Sequence, residues 1–344
     1  MIYHMSNQKN RLLLIILITF IPISMSFAQS NPKWVVYQGN EGPGKGKHIV
    51  FISGDEEYRS EEGLPMLAKI LAERHGFKCT VLFAVDPITN TIDPDNQTNI
   101  PGLEQLKTAD LMFMLLRFRE LPDEQMKHII DYTNTGKPIV ALRTSTHAFS
   151  YSRNKQNPYA KYSYNSKIKG WEGGYGKQVL GETWINHHGV HAKEGTRALV
   201  NGLMKDHPIL RGVKDIWTPT DVYGITGLPT DAQILIFGQT TMGMTPTSPL
   251  SYEKSVMPVA WLRSYSSASG KKAKIFTTTM GSSIDLVSED LRRLLVNACY
   301  WATGMEQQIP EQNNAQLVGE YSPTMFGFDK YQRGLSPSTF EWKK

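Results

Sequence analysis

The chain has 344 residues, with 37 lysines and arginines against 32 aspartates and glutamates for a net charge of +5, and 40% of its residues are hydrophobic. That is long enough for one large α/β domain, and the basic residues are scattered rather than striped, which argues against nucleic acid as a partner. Of the two cysteines, Cys79 falls in a strand-like run and Cys299 in an apolar C-terminal helix. Both read as buried hydrophobes, a disulfide between them stays open, and a thiol mechanism is disfavoured.

Residues 1–28 read as a secretory signal. Lys9 and Arg11 precede an apolar stretch over residues 12–23, and Ser26 and Ala28 place small side chains where a signal peptidase reads. Pro22 interrupts that stretch, which is short for a membrane span, and no cysteine stands at the cleavage site. The expectation is an exported protein, periplasmic or secreted, with no membrane association after cleavage. A lead-in over 29–47 precedes an α/β domain over 48–304, and a surface tail over 305–344 follows it.

The first domain element is an apolar strand over 48–53. It breaks at Gly54 into Asp55, Glu56, Glu57, Tyr58 and Arg59 before a helix that begins near Ser60. Helix capping accounts for Ser60, Glu61 and Glu62, but not for the five residues before them. A helix to His75 with Gly76 as its cap leads to a second strand over 79–83, and 109–116 gives a third strand that ends in Arg117, Phe118 and Arg119. A helix over 122–132 and a fourth strand over 138–142 follow, the latter ending in Arg143, Thr144, Ser145, Thr146 and His147. Such alternation predicts a doubly wound, mostly parallel α/β sheet with helices on both faces and long loop insertions. Its charged strand ends would converge on one edge, where ligands bind in such sheets.

Residues 149–177 change character, with Tyr151, Tyr159, Tyr162, Tyr164, Trp171 and Tyr175 spread through a polar, aperiodic stretch. These rings suit either stacking on sugar faces or anchoring of an inserted loop. His187, His188 and His191 then form the densest histidine cluster of the chain. Neutral imidazoles at this spacing are candidate ligands for a divalent metal, zinc or similar, or a source of one general acid or base. Strands over 197–200 and 234–238, an antiparallel pair over 257–263 and 274–278, and a closing helix over 288–304 complete the domain. Asp221 and Tyr223 lie on a loop able to reach the site.

The ordered set of segments 48–59, 136–147, 181–188, Asp206-His207-Pro208-Ile209, 257–261, 277–281 and 292–304 resembles the ThuA-like (trehalose utilisation) family across nearly the whole domain. The resemblance implies a flavodoxin-like, class I glutamine amidotransferase-like version of the fold. It also implies a place in bacterial carbohydrate metabolism, including 3-keto sugars and polysaccharide degradation. It does not imply glutaminase activity, because Thr144 and Ser145 stand at the turn where an amidotransferase carries its cysteine. The chain has Arg143-Thr144 where many relatives have His-Ser, and Gly281-Ser282 in place of a Gly-His pair, so no histidine role transfers to those positions.

The leading expectation is an enzyme that acts on a sugar or 3-keto-glycoside by base-assisted elimination, hydrolysis or isomerisation. Glu56, Glu57, Arg59, Arg143, His147, His187 and His188 are the candidate catalytic residues, and Asp55, Tyr58, Arg117, Arg119, Trp171 and Tyr223 the candidate substrate-binding ones. His187, His188 and His191 are the candidate metal ligands, and no other cofactor is expected. The partner would be a small sugar or oligosaccharide, with a homo-oligomer open. A hydrolase built on Ser145 with His147, and a non-catalytic glycan-binding protein that uses the tyrosine-rich loop, are the alternatives.

Overall fold

A computed structural model describes Met1 and residues 32–342, so residues 2–28 of the expected signal fall outside the described residues. The lead-in contributes β1 (Trp34–Gln38), and the apolar run after Lys47 makes β2 (His48–Gly54), buried along its whole length. Continuous burial needs cover on both faces, as in parallel strands. The helix α1 (Ser60–His75) carries Glu61 and Glu62 in its first turn and ends at Gly76, whose φ of 78° lets its N–H reach back to Ala72 O. Next come β3 (Lys78–Phe83), β4 (Leu111–Leu116), α2 (Asp123–Asn134) and β5 (Ile139–Leu142).

Beyond β5 the alternation stops. Short 3-10 turns and one π turn occupy the stretch before β6 (Gly195–Val200), β7 (Trp217–Thr218), β8 (Gln233–Thr241), β9 (Met257–Ser266), β10 (Lys272–Thr278) and α3 (Glu289–Ala302). The strands form one ten-stranded sheet in the order β1-β3-β2-β4-β5-β10-β9-β8-β6-β7. Pairings from β3 through β10 are parallel, whereas β1 on β3 and every pairing from β10 outward to β7 are antiparallel.

The expected doubly wound, mostly parallel sheet is therefore not what forms. The sheet is mixed, and three α-helices serve it among the described residues. The antiparallel pair of β9 and β10 is as expected; the departure is that β8, β6 and β7 add antiparallel outside it and β1 lies antiparallel on β3, and the chain from β6 to β9 holds no α-helix to carry a parallel crossover.

Alternate strand residues divide the core. Ile49, Phe51, Phe113 and Phe276 pack with α1 and α3 on one face. Val50, Ile52, Met112 and Met114 pack on the other with Met126 and Ile129 of α2, and with Tyr151, Tyr162 and Tyr175 of the long insertion. Because β2, β4, β5 and β10 run parallel, Asp55, Arg117, Arg143 and Thr279 leave the sheet side by side at its carboxyl edge. Cys79 and Cys299 are both buried free thiols. No helix among the described residues is long and apolar enough to cross a membrane.

The tail runs back over α1. His75 bridges it, with Nδ1 2.9 Å from Tyr300 Oη and Nε2 2.7 Å from Asn314 O. Burial holds the imidazole down from 6.5 to about 4, a hydrogen bond to Asn314 opposing the shift and Arg74 adding to it. The unfolded chain thus binds a proton at higher pH than the folded one, and stability present above pH 6.5 is lost as pH falls towards 4. Urea denaturation at stepped pH should show that loss, and His75→Gln should remove part of the slope below pH 6.5.

Candidate functional site

Three strand-end turns place non-glycine residues in the left-handed region: Arg59 at φ 55°, Phe118 at 52° and Arg143 at 37°. Such backbone persists only where surrounding contacts over-determine it, and it concentrates at functional sites. Arg143 follows β5 directly, and its guanidinium lies between two rings, 4.2 Å from the centre of Tyr58 and 4.3 Å from that of Tyr223. It donates to Asp221 Oδ1 at 3.1 Å, to Thr279 O at 2.7 Å and to Tyr58 Oη at 3.1 Å. Both partners of the Arg143–Asp221 pair are fully buried.

Asp221 also faces two imidazoles, with Oδ2 2.7 Å from His187 Nδ1 and Oδ1 3.2 Å from His191 Nδ1. Burial alone would raise this carboxyl, but the hydrogen bonds to His187 and His191 and the charge of Arg143 outweigh it and hold the group well below the usual carboxylate range. Main-chain bonds fix the two loops together: His188 N–H and Gly189 N–H both donate to Val222 O at 2.9 Å. A Cβ on Gly189 would come within 2.9 Å of Asp221 Cβ, so glycine is what lets the loops approach.

Above this pair opens a cavity of about 390 Å³, lined by Glu57, Arg117, Phe118, His147, Trp184, His187, His191, Tyr223 and Phe328. Arg117 is held between Phe118 and Phe328, 4.7 and 5.0 Å from the ring centres, and bonds Glu56 at 3.0 Å and Glu57 at 3.2 Å. Burial next to Asp55 pushes the Glu56 carboxyl up, with Arg117 opposing. His147 sits among Phe118, Trp184 and Tyr223; burial, with Arg117 and Arg143 close by, depresses its imidazole well below 6.5 and keeps it neutral.

Of the residues singled out from sequence, Glu57, Arg117, His147, His187, His191 and Tyr223 reach the cavity wall. Tyr58, Arg143 and Glu56 stand directly behind it. Asp55 is fully buried, accepting from Thr144 Oγ1 and from Tyr58 N–H, and braces the turn. Four positions are corrected. The Arg59 side chain donates from Nε and Nη1 to Thr324 Oγ1, Glu56 O and Glu57 O, and Nη2 is buried without a partner. Arg119, buried and lowered to about 10 by that burial, holds the carbonyls of Pro94, Asn96 and Arg117. His188 turns away to Ser255 O at 2.8 Å, so it is Asp221 and not His188 that stands with His187 and His191. Trp171 packs on Tyr162 at 4.5 Å in the second core, and Tyr151 and Tyr175 act as anchors, Tyr151 Oη donating to Leu121 O and Tyr175 Oη meeting Thr133 Oγ1, whereas Tyr164 lies against Phe118, 5.1 Å between ring centres, beside the cavity.

Ser145 is no nucleophile. Its Oγ is fully buried, donates to Met114 O at 2.9 Å and accepts from Leu116 N–H at 3.2 Å. The sequence reading missed Trp184, Phe118 and Phe328. Trp184 stands three residues before His187 and was within sight of that cluster; nothing local marks Phe328, which arrives from the tail.

No family model and no curated protein matches the sequence. Among solved structures, a thua-like protein of Bacteroides uniformis shares 16% identity, with 76% of this chain and 93% of that one covered and a TM-score of 0.47. A thua-like protein of Parabacteroides merdae shares 15% identity over 75% and 90% of the two chains, with a TM-score of 0.46. An exo-beta-1,4-mannosidase of an Opitutaceae bacterium shares 9% identity over 76% of this chain and 36% of that one, with a TM-score of 0.35. Likenesses at this level assign no chemistry to the chain.

Removing Arg143 would leave Asp221 buried without its cation. Arg143→Ala should cost about 3–5 kcal/mol in chemical denaturation. Arg143→Lys should recover only part of this, since an ammonium cannot both fill the slot between two rings and keep the same fork of hydrogen bonds.

Proposed function

We propose that the protein is a carbohydrate-processing enzyme that removes a proton from the carbon beside a sugar carbonyl, as in a 3-keto-glycoside. The observation that carries the reading is the placement of Glu57 and Arg117 on the wall of one aromatic-sided cavity, 3.2 Å apart. A volume of about 390 Å³ falls in the range of small-molecule sites. The rings of Trp184, Tyr223 and Phe328 suit the apolar C–H faces of a pyranose. Glu57 takes the proton at C2, and Arg117 offers the positive charge that an enediolate at C3 requires. Collapse of that anion expels the C1 substituent as its alkoxide, which solvent protonates, and leaves a C1–C2 double bond for water to add across; reprotonation instead gives isomerisation.

The resemblance to the ThuA-like family points to the same substrate class, and the signal-like N terminus fits action outside the cytoplasm. The deeply buried Ser145 hydroxyl removes the serine-hydrolase alternative from consideration.

The test is incubation of a glycoside panel and the corresponding 3-keto-glycosides in D2O, followed by NMR. Exchange at C2 and release of the aglycone from keto substrates are expected, and Glu57→Gln should slow both by roughly 10²–10⁴-fold with binding intact. Full turnover in Glu57→Gln would overturn the base role of Glu57. Tight binding with the keto sugar unchanged and no exchange would overturn the enzymatic reading.

A further inference from the structure

We propose that His187, His191 and Asp221 form a site for a divalent transition-metal cation of the zinc type, open on its cavity side. The inference deepens the reading of this cavity as catalytic, but its test needs no substrate.

One ligand atom from each of the three residues lies within 4.8 Å of the other two. Two imidazoles and one carboxylate are a donor set suited to zinc and its neighbours rather than to magnesium or calcium, which take oxygen. The carboxylate is immobile, fully buried and held by Arg143, the kind of outer support that orients a metal ligand. The imidazoles are the accessible members, with about a third of each side chain exposed (32% for His187 and 29% for His191) on the cavity wall. Catalytic sites of this type combine three protein ligands with an open position for water or substrate.

A further contact faces the same point. His191 presents Nδ1 to Asp221 at 3.2 Å and Nε2 to Glu57 at 3.5 Å, so each ring nitrogen faces a carboxylate oxygen. A bound cation there would supply Lewis-acid polarisation of a sugar carbonyl, in concert with Arg117.

The untagged full chain, dialysed against chelator, is titrated with Zn²⁺ by calorimetry and with Co²⁺ by visible absorption. One ion per chain is expected, with His191→Ala weakening it by at least about a hundredfold and His188→Ala binding as the parent does. Circular dichroism confirms that the variant is folded; should His191→Ala not fold, His187→Ala gives the same reading. No stoichiometric uptake, equal affinity in the His191→Ala and parent proteins, equal losses in His188→Ala and His191→Ala, or preference for Mg²⁺ over Zn²⁺ would each overturn the site. Loss of Glu57-dependent turnover bears on the proposed reaction alone, because metal uptake is read without substrate.

Discussion

The buried contact between Arg143 and Asp221 is the constraint on which the site depends. Two opposite charges removed from water are costly unless the geometry compensates them: the guanidinium is sandwiched by Tyr58 and Tyr223 and its two terminal nitrogens donate to a carboxylate, a phenol and two carbonyls, while Nε is buried without a partner. Asp221 in turn fixes the rings of His187 and His191. Four separate stretches of chain are therefore registered by one cation. The cost of holding Arg143 at φ 37° is set against all of those contacts at once.

The same logic explains why the turn after β2 is so acidic. Asp55 and Glu56 lie where burial favours their neutral forms, yet they flank Arg117, and Glu57 bridges that guanidinium to His191. The turn is thus an electrostatic hinge between the arginine leaving β4 and the histidines of a distant loop. Arg59 and Arg119 have a different part. By capturing main-chain carbonyls they hold the turns in shape, and their long apolar stems fill volume that a smaller residue would leave empty.

Local chemistry made much of this legible. The parallel strands announced themselves by unbroken apolar runs, and the charges clustered after β2, β4 and β5 marked the edge where the cavity lies. What could not be read was long-range pairing. The short link between β9 and β10 made that antiparallel pair legible, but β8, β6 and β7 have strands similar in composition to the parallel half and nothing local sets their antiparallel order outside β9. The tyrosines of the insertion illustrate a second limit: an aromatic residue in a polar stretch looks the same whether its ring meets a ligand or a core, and Tyr151 and Tyr175 chose the core. For His188 against Asp221 the deciding factor was the path of a loop 30 residues further on, which no spacing rule within 187–191 contains.

The tail adds a feature of another kind. Thr324 is bound by Glu62 and Arg59, Gly327 N–H donates to Glu57 O at 2.8 Å, Phe326 covers Tyr58 and His191, and Tyr331 Oη is tied to Asp93 at 2.7 Å. Between those moorings Phe328 closes one side of the cavity. A stretch more than 260 residues later in the chain thus supplies a wall beside Glu57 and Arg59. All ten strands lie within residues 34–278, so the sheet can pair while this wall is still missing, and the pocket acquires its final shape only once residues 324–331 have docked.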